Sequence, residues 1–178
     1  MLNKWPVAGI IAGIVIFFWG ALSHMAVNLD SYFKTVPNED ALFSAMQSNL
    51  KEPGLYFYPN EMDPAKMDAR LKSAPRGIFS YTPAGTPFSF GQTLTVQCLI
   101  DILVGVIAAY LFSMAAPSLV GMGQKLIFTT MLGIFSVVAI NVPFWNWYGF
   151  PAMSILTGII EQGVAGLLAG FVFAKLLK

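Results

Sequence analysis

Residues Thr93–Ala116 read TLTVQCLIDILVGVIAAYLFSMAA, and residues Met153–Lys175 read MSILTGIIEQGVAGLLAGFVFAK. Each run is long enough to cross a bilayer as a helix, since about 20 residues at ~1.5 Å rise span ~30 Å. Each also carries one carboxylate deep in its apolar stretch, Asp101 in the first and Glu161 in the second. An ionised carboxylate at that depth costs at least ~2.5 kcal/mol, so by default it faces a partner or a cavity and marks a place where function resides.

The rest of the chain agrees with a membrane setting. Of its 178 residues 56% are hydrophobic and 11% charged, against roughly 25% charged in a soluble domain. Two further apolar spans run from about Trp5 to Val27 and from Leu126 to Trp145, giving four in all. The expected fold is mainly α: a four-transmembrane-helix bundle with a small α+β insertion between the first and second helices. Residues 1–27 form the first span, residues 28–92 an extracytoplasmic insertion, and residues 93–178 the other three spans. The insertion holds 13 of the 19 Asp, Glu, Lys and Arg side chains and is too polar for lipid.

Lys4 ahead of an apolar run, with Ala21–Ser23 as a small-x-small site, resembles a secretory signal. The run is longer than a usual signal core, so an uncleaved anchor is expected. Lys4, Lys125, Lys175 and Lys178 flank the spans on one side with no acid among them. By the positive-inside rule both termini are expected in the cytoplasm and residues 28–92 outside. A net charge of +1 and the absence of a basic stripe argue against nucleic acid as a partner. The single cysteine, Cys98, excludes a disulfide framework.

Within the insertion Asn38 can cap a helix reaching about Asn49, with Glu39 and Asp40 at the positive end of its dipole. Leu55–Tyr58 reads as a short strand. Asp63 followed by Pro64 opens a second helix to about Ser73, and Ile78–Tyr81 reads as a second strand, expected to pair with the first. Phe144, Trp145, Trp147, Tyr148 and Phe150 crowd the turn between the last two spans. They read as an interfacial anchoring belt, with a lid over a lipid-, quinone- or pigment-sized ligand as the alternative.

Small residues mark where helices can approach. Gly9 and Gly13 form one GxxxG and Gly166 and Gly170 another, and in lipid such pairs let backbones pack closely. They serve packing within this bundle or against another subunit.

A candidate intramembrane site gathers His24, Gln97, Asp101, Asn141, Glu161 and Gln162. Asp101 and Glu161 each lie eight residues into helices entering from the same side, so both sit ~12 Å below the outer interface. Gln97 is one turn above Asp101, Gln162 adjoins Glu161, and Asn141 and His24 lie near the same end of their spans. No polar group continues toward Lys125 or Lys175, so the pattern describes a cup opening outward and not a pore. Three roles compete for it. The set can fix helix register through interhelical hydrogen bonds. It can bind a ligand or ion, with His24, Asp101 and Glu161 as metal ligands and Asn141 as an extra oxygen, although no Glu-x-x-His signature accompanies them. His24 can also ligate a haem or chlorophyll. No specific motif implies a cofactor or names a metal. Hydrolase, P-loop, zincin and paired-cysteine motifs are absent from the sequence, so no catalytic residue is assigned and a non-enzymatic role is expected.

Several stretches taken together, Trp19–Met25, Pro37–Glu39, Glu52–Phe57, Trp145–Pro151, Glu161–Gln162 and Gly166–Gly170, resemble a family of small bacterial four-helix integral membrane proteins with no assigned activity. The resemblance covers most of the chain. It implies a multi-pass protein of the bacterial inner membrane and brings no substrate or catalytic residue. The expected function is that of an accessory or structural subunit of a larger membrane complex. Its partners would be the bilayer and either other membrane subunits or further copies of the chain. The alternative is a small transporter or ligand- or ion-binding protein that uses the cup around Asp101 and Glu161.

Overall fold

The computed structural model describes residues 4–177. Its elements follow in the order α1 (Trp5–Leu22), α2 (Glu39–Asn49), β1 (Gly54–Tyr58), α3 (Pro64–Ser73), β2 (Gly77–Tyr81), α4 (Phe90–Ala115), α5 (Gly121–Tyr148) and α6 (Met153–Leu176). Four stretches of helix, Trp5–Val27, Phe90–Ser118, Gly121–Tyr148 and Met153–Leu176, are long and apolar enough to cross a membrane. Most of their large side chains, such as Phe18, Leu99, Leu103 and Phe135, point away from the protein, as lipid contact requires.

The long helices pass their sequence boundaries at several ends. α4 starts at Phe90, where the Ser89 hydroxyl accepts the Gln92 N–H. α5 runs from Gly121 through Pro143 to Tyr148 and stops where Gly149 takes φ 74°. A left-handed residue just past a helix is a common stop, because it turns the chain away without a Cβ clash. α1 widens into a π-helical turn over Ser23–Val27 and ends at Asn28 in the left-handed region.

The insertion forms as its caps dictate. Asn38 Oδ1 accepts the Ala41 N–H at 3.1 Å to open α2, and Asp63 Oδ1 accepts the Ala65 N–H at 3.0 Å ahead of Pro64 in α3. β1 and β2 pair antiparallel, Gly54 opposite Tyr81 and Tyr58 opposite Gly77. The Tyr56 and Phe79 rings stack across them with centroids 5.4 Å apart. Among the described insertion residues only Pro59 is buried, so the insertion has little core of its own. It leans on the end of α5, where Phe57 meets Tyr148 edge-on with ring centroids 6.2 Å apart.

Helix neighbours in space are not simply neighbours in sequence. α1 packs along α4 and along α6, and α6 packs along α5, whereas α4 and α5 touch sparsely despite their short connection. In section the order is therefore α4–α1–α6–α5, an arc and not a closed ring. At the end where α1 begins and α6 ends the arc is drawn together by Ala8, Ala12, Ala109, Phe112, Ala169 and Phe173. Phe112 there contacts both Phe128 and Phe173. Toward the insertion end, nothing comparable joins α4 to α5 among the described residues.

Glycines set the two tight seams. A Cβ on Gly9 would lie 2.5 Å from Val106 Cα, and one on Gly105 would lie 2.6 Å from the Gly13 nitrogen, so α1 and α4 meet backbone to backbone. Gly133 abuts the Gln162 carbonyl, Gly166 the Thr129 carbonyl and Gly170 the Thr129 hydroxyl, which sets the α5–α6 seam. All four glycines singled out from the sequence thus face helices of this same chain.

Candidate functional site

The concave side of the arc encloses a cavity of about 770 Å³ lined by all four long helices. On α4 its lining reaches from Phe90 to Ala108, about 27 Å along the helix axis. His24, Gln97, Asp101, Glu161 and Gln162 all border it. The structure therefore brings together five of the six residues of the candidate site.

Glu161 is held most closely. Its Oε1 lies 2.9 Å from His24 Nε2 and accepts the Ser23 hydroxyl at 3.2 Å, while its backbone carbonyl accepts Trp19 Nε1–H at 2.9 Å. Trp19 and Ser23 stand one turn apart on α1, so one face of that helix clasps one turn of α6. The other ring nitrogen of His24 lies 2.5 Å from Asp30 Oδ2. The Asp30–His24–Glu161 chain thus ties the start of the insertion to α6 beside the cavity. Tyr32 stands beside this chain. Burial first, then the charge of Asp30 and then that of Glu161, holds its hydroxyl above the ordinary tyrosine value and keeps it neutral.

Asp101 is placed differently. Its Oδ1 accepts Gln97 Nε2–H at 3.0 Å, one turn back on the same helix. No cation reaches it among the described residues, and no Lys or Arg lines the cavity. The rest of the lining is largely apolar or small, with Val104, Ala108, Leu132, Ala165 and Ala169, and it adds the hydroxyls of Ser136 and Thr129. Those two hydroxyls turn back to their own helix, Ser136 to the Gly133 carbonyl and Thr129 to those of Lys125 and Leu126.

Asn141 does not join the set. Its Nδ2 donates to the Ser154 carbonyl at 2.9 Å, where α5 crosses the start of α6, and it borders Gly158 and not the cavity. Counting residues places Asn141 along its helix, but the direction it faces is fixed by the α5–α6 seam. The aromatic turn is likewise no lid over the cup: Phe144, Tyr148 and Phe150 pack on one another and on Phe57, away from the cavity lining. Among the described residues no three His, Cys, Asp or Glu side chains are grouped to hold a metal ion.

Three contributors escaped the sequence reading. Asp30 returns to His24 only because the π-helical turn and the left-handed Asn28 fold the chain back, which no periodicity announces. Trp19 and Ser23 were within reach, since their four-residue spacing puts them on the face of His24's turn. Comparison with protein-family models, with curated proteins and with solved structures finds no match to this chain.

Proposed function

We propose that this chain is a non-catalytic membrane protein that holds a ligand drawn from the bilayer in the groove formed by α4, α1, α6 and α5. The carrying observation is the cavity itself. Its 770 Å³ falls within the roughly 300–1,000 Å³ of small-molecule sites. Its lining combines the polar side chains of Gln97, Asp101, Glu161 and Gln162 with a largely apolar remainder, and its α4–α5 side is not closed by helix packing. An amphiphile matches that division, polar end at Gln97, Asp101 and Glu161 and apolar end toward Ala108 and Ala169. The lysine distribution supports cytoplasmic termini, and the family resemblance supports a bacterial inner membrane. In that orientation Asp101 and Glu161 belong to the outer half of the bilayer.

A photoreactive residue tests the binding role. Benzoylphenylalanine at Val104, which lines the groove, should give one dominant adduct mass after irradiation in native membranes. The same residue at Leu103, which points outward, should give the spread of bulk lipids. Indistinguishable adduct patterns at the two positions would refute a selective groove.

A second reading, an accessory subunit of a larger complex or a homo-oligomer, has its own support. Phe33, Leu55, Met62 and Phe88 are each more than two-thirds exposed on the insertion and its flank, apolar side chains of the kind that a partner surface covers. Purification in a mild non-ionic detergent tests it. Partners or further copies should co-migrate with the chain, and a clean monomer would count against it.

A further inference from the structure

We propose that the groove selects an amphiphile headed by a primary amine, admitted sideways between α4 and α5 and anchored by its ammonium on Asp101. This rests on the groove reading above and adds the chemistry of the head and the route of entry.

The electrostatics of the lining carry the choice. Two carboxylates border the cavity, and among the described residues His24 is its only lining group that can carry a positive charge. That imidazole is already engaged by Asp30 on one nitrogen and Glu161 on the other. Glu161 thus has two partners, His24 and the Ser23 hydroxyl. Asp101 has one neutral amide hydrogen from Gln97. In a low-dielectric slab a carboxylate so placed is costly, and so is a lone ammonium; bringing them together relieves both.

The head must also donate hydrogen bonds. An ammonium offers three N–H groups, and the amide oxygens of Gln97 and Gln162, together with Asp101, supply acceptors in the same cavity. A quaternary ammonium has charge but no N–H. A long-chain alcohol has one donor and no charge, and a fatty carboxylate adds a third negative group. Beyond Asp101, Val104, Ala108, Leu132, Ala165 and Ala169 offer a tail only apolar or small surface.

Entry follows from the arc. Ile100 and Val104 on α4 line the cavity yet are each 47% exposed. The facing wall of α5, Leu132 to Ser136, is not packed against them. A tail can slide between these walls without leaving hydrocarbon, and only the head needs to find polar partners on arrival.

The test is native mass spectrometry of the full chain released from a non-ionic detergent, with hexadecylamine, hexadecanol and hexadecyltrimethylammonium as probes at equal concentration. The amine should be retained at least tenfold over both others. Asp101→Asn should erase that preference, Asp101→Glu should preserve much of it, and Val104→Trp, which fills the groove, should reduce retention of all three. Equal retention of the three probes, lost together in Val104→Trp, would overturn the amine inference and leave the groove reading standing. Retention of every probe unaffected by Val104→Trp would overturn both. The unsubstituted chain alone decides the headgroup, so a variant that fails to fold does not remove the test.

Discussion

Replacing Gly9 with alanine should destabilise the protein, while the same change at Gly20, on the same helix, should not. At Gly9 the added methyl would lie 2.5 Å from Val106 Cα and 2.9 Å from the Gly105 carbonyl oxygen, both backbone atoms of α4. That is about 1 Å inside the optimum separation for carbon atoms, and backbone cannot rotate away as a side chain can. α1 and α4 must therefore part, which loosens the facing Gly13–Gly105 contact as well. Overpacking of this kind costs about 1–3 kcal/mol. For a chain of this size each kcal/mol moves Tm by about 2–4 °C, so Gly9→Ala should lower Tm by about 2–12 °C. At Gly20 nothing lies within 4 Å of the new methyl, and alanine is the better helix former by about 0.5–1 kcal/mol. Gly20→Ala should hold Tm or raise it by up to about 4 °C. Thermal unfolding of the purified protein in detergent, followed by tryptophan fluorescence, reads both. Equal shifts for the two variants, or a rise for Gly9→Ala, would show that α1 and α4 do not meet backbone to backbone.

Asn141→Ala removes the hydrogen bond to the Ser154 carbonyl, and interhelical bonds in membranes average ~0.6 kcal/mol; Tm should fall by about 1–2 °C, and an unchanged Tm would deny that bond a structural role. The raised Tyr32 value favours the neutral phenol in the folded state, so its contribution is full below the ordinary value of 10.0 and is lost as pH rises through the folded value. Tyr32→Phe should accordingly flatten part of the stability decline above about pH 10, and an identical decline in both proteins would contradict the assignment. In a background lacking Cys98, Ser48→Cys should react with an impermeant thiol reagent applied to intact cells and Ser118→Cys should not; the reverse pattern would invert the topology.

Much of the fold could be read because each part has a local cause. Long apolar runs declare the four spans, and Asn38, Asp63 and Pro64 declare the insertion helices through orphan N–H groups that need acceptors. Span ends were less legible: α5 begins at Gly121 and takes in Gln124 and Lys125, because polar residues are tolerated at a helix end where they reach water. The arc was not legible at all. Gly9 and Gly13 announce a close approach, but a GxxxG does not say which helix approaches, and its counterpart Gly105 stands alone among larger residues. The same limit explains the site. Counting residues suggested Asp101 and Glu161 as partners, while the turn of Asn141 into the α5–α6 seam and the return of Asp30 to His24 depend on seams and turns set by the whole chain.

The most direct test of the central claim is an experimental structure of the chain in lipid nanodiscs at a resolution that shows side chains. The account predicts α4 and α5 separated toward the insertion end, with elongated density in the groove whose polar end contacts Asp101. A bundle in which Ile100 and Val104 interleave with Leu132 and Ser136, leaving no space beside Asp101 and Glu161, would contradict it.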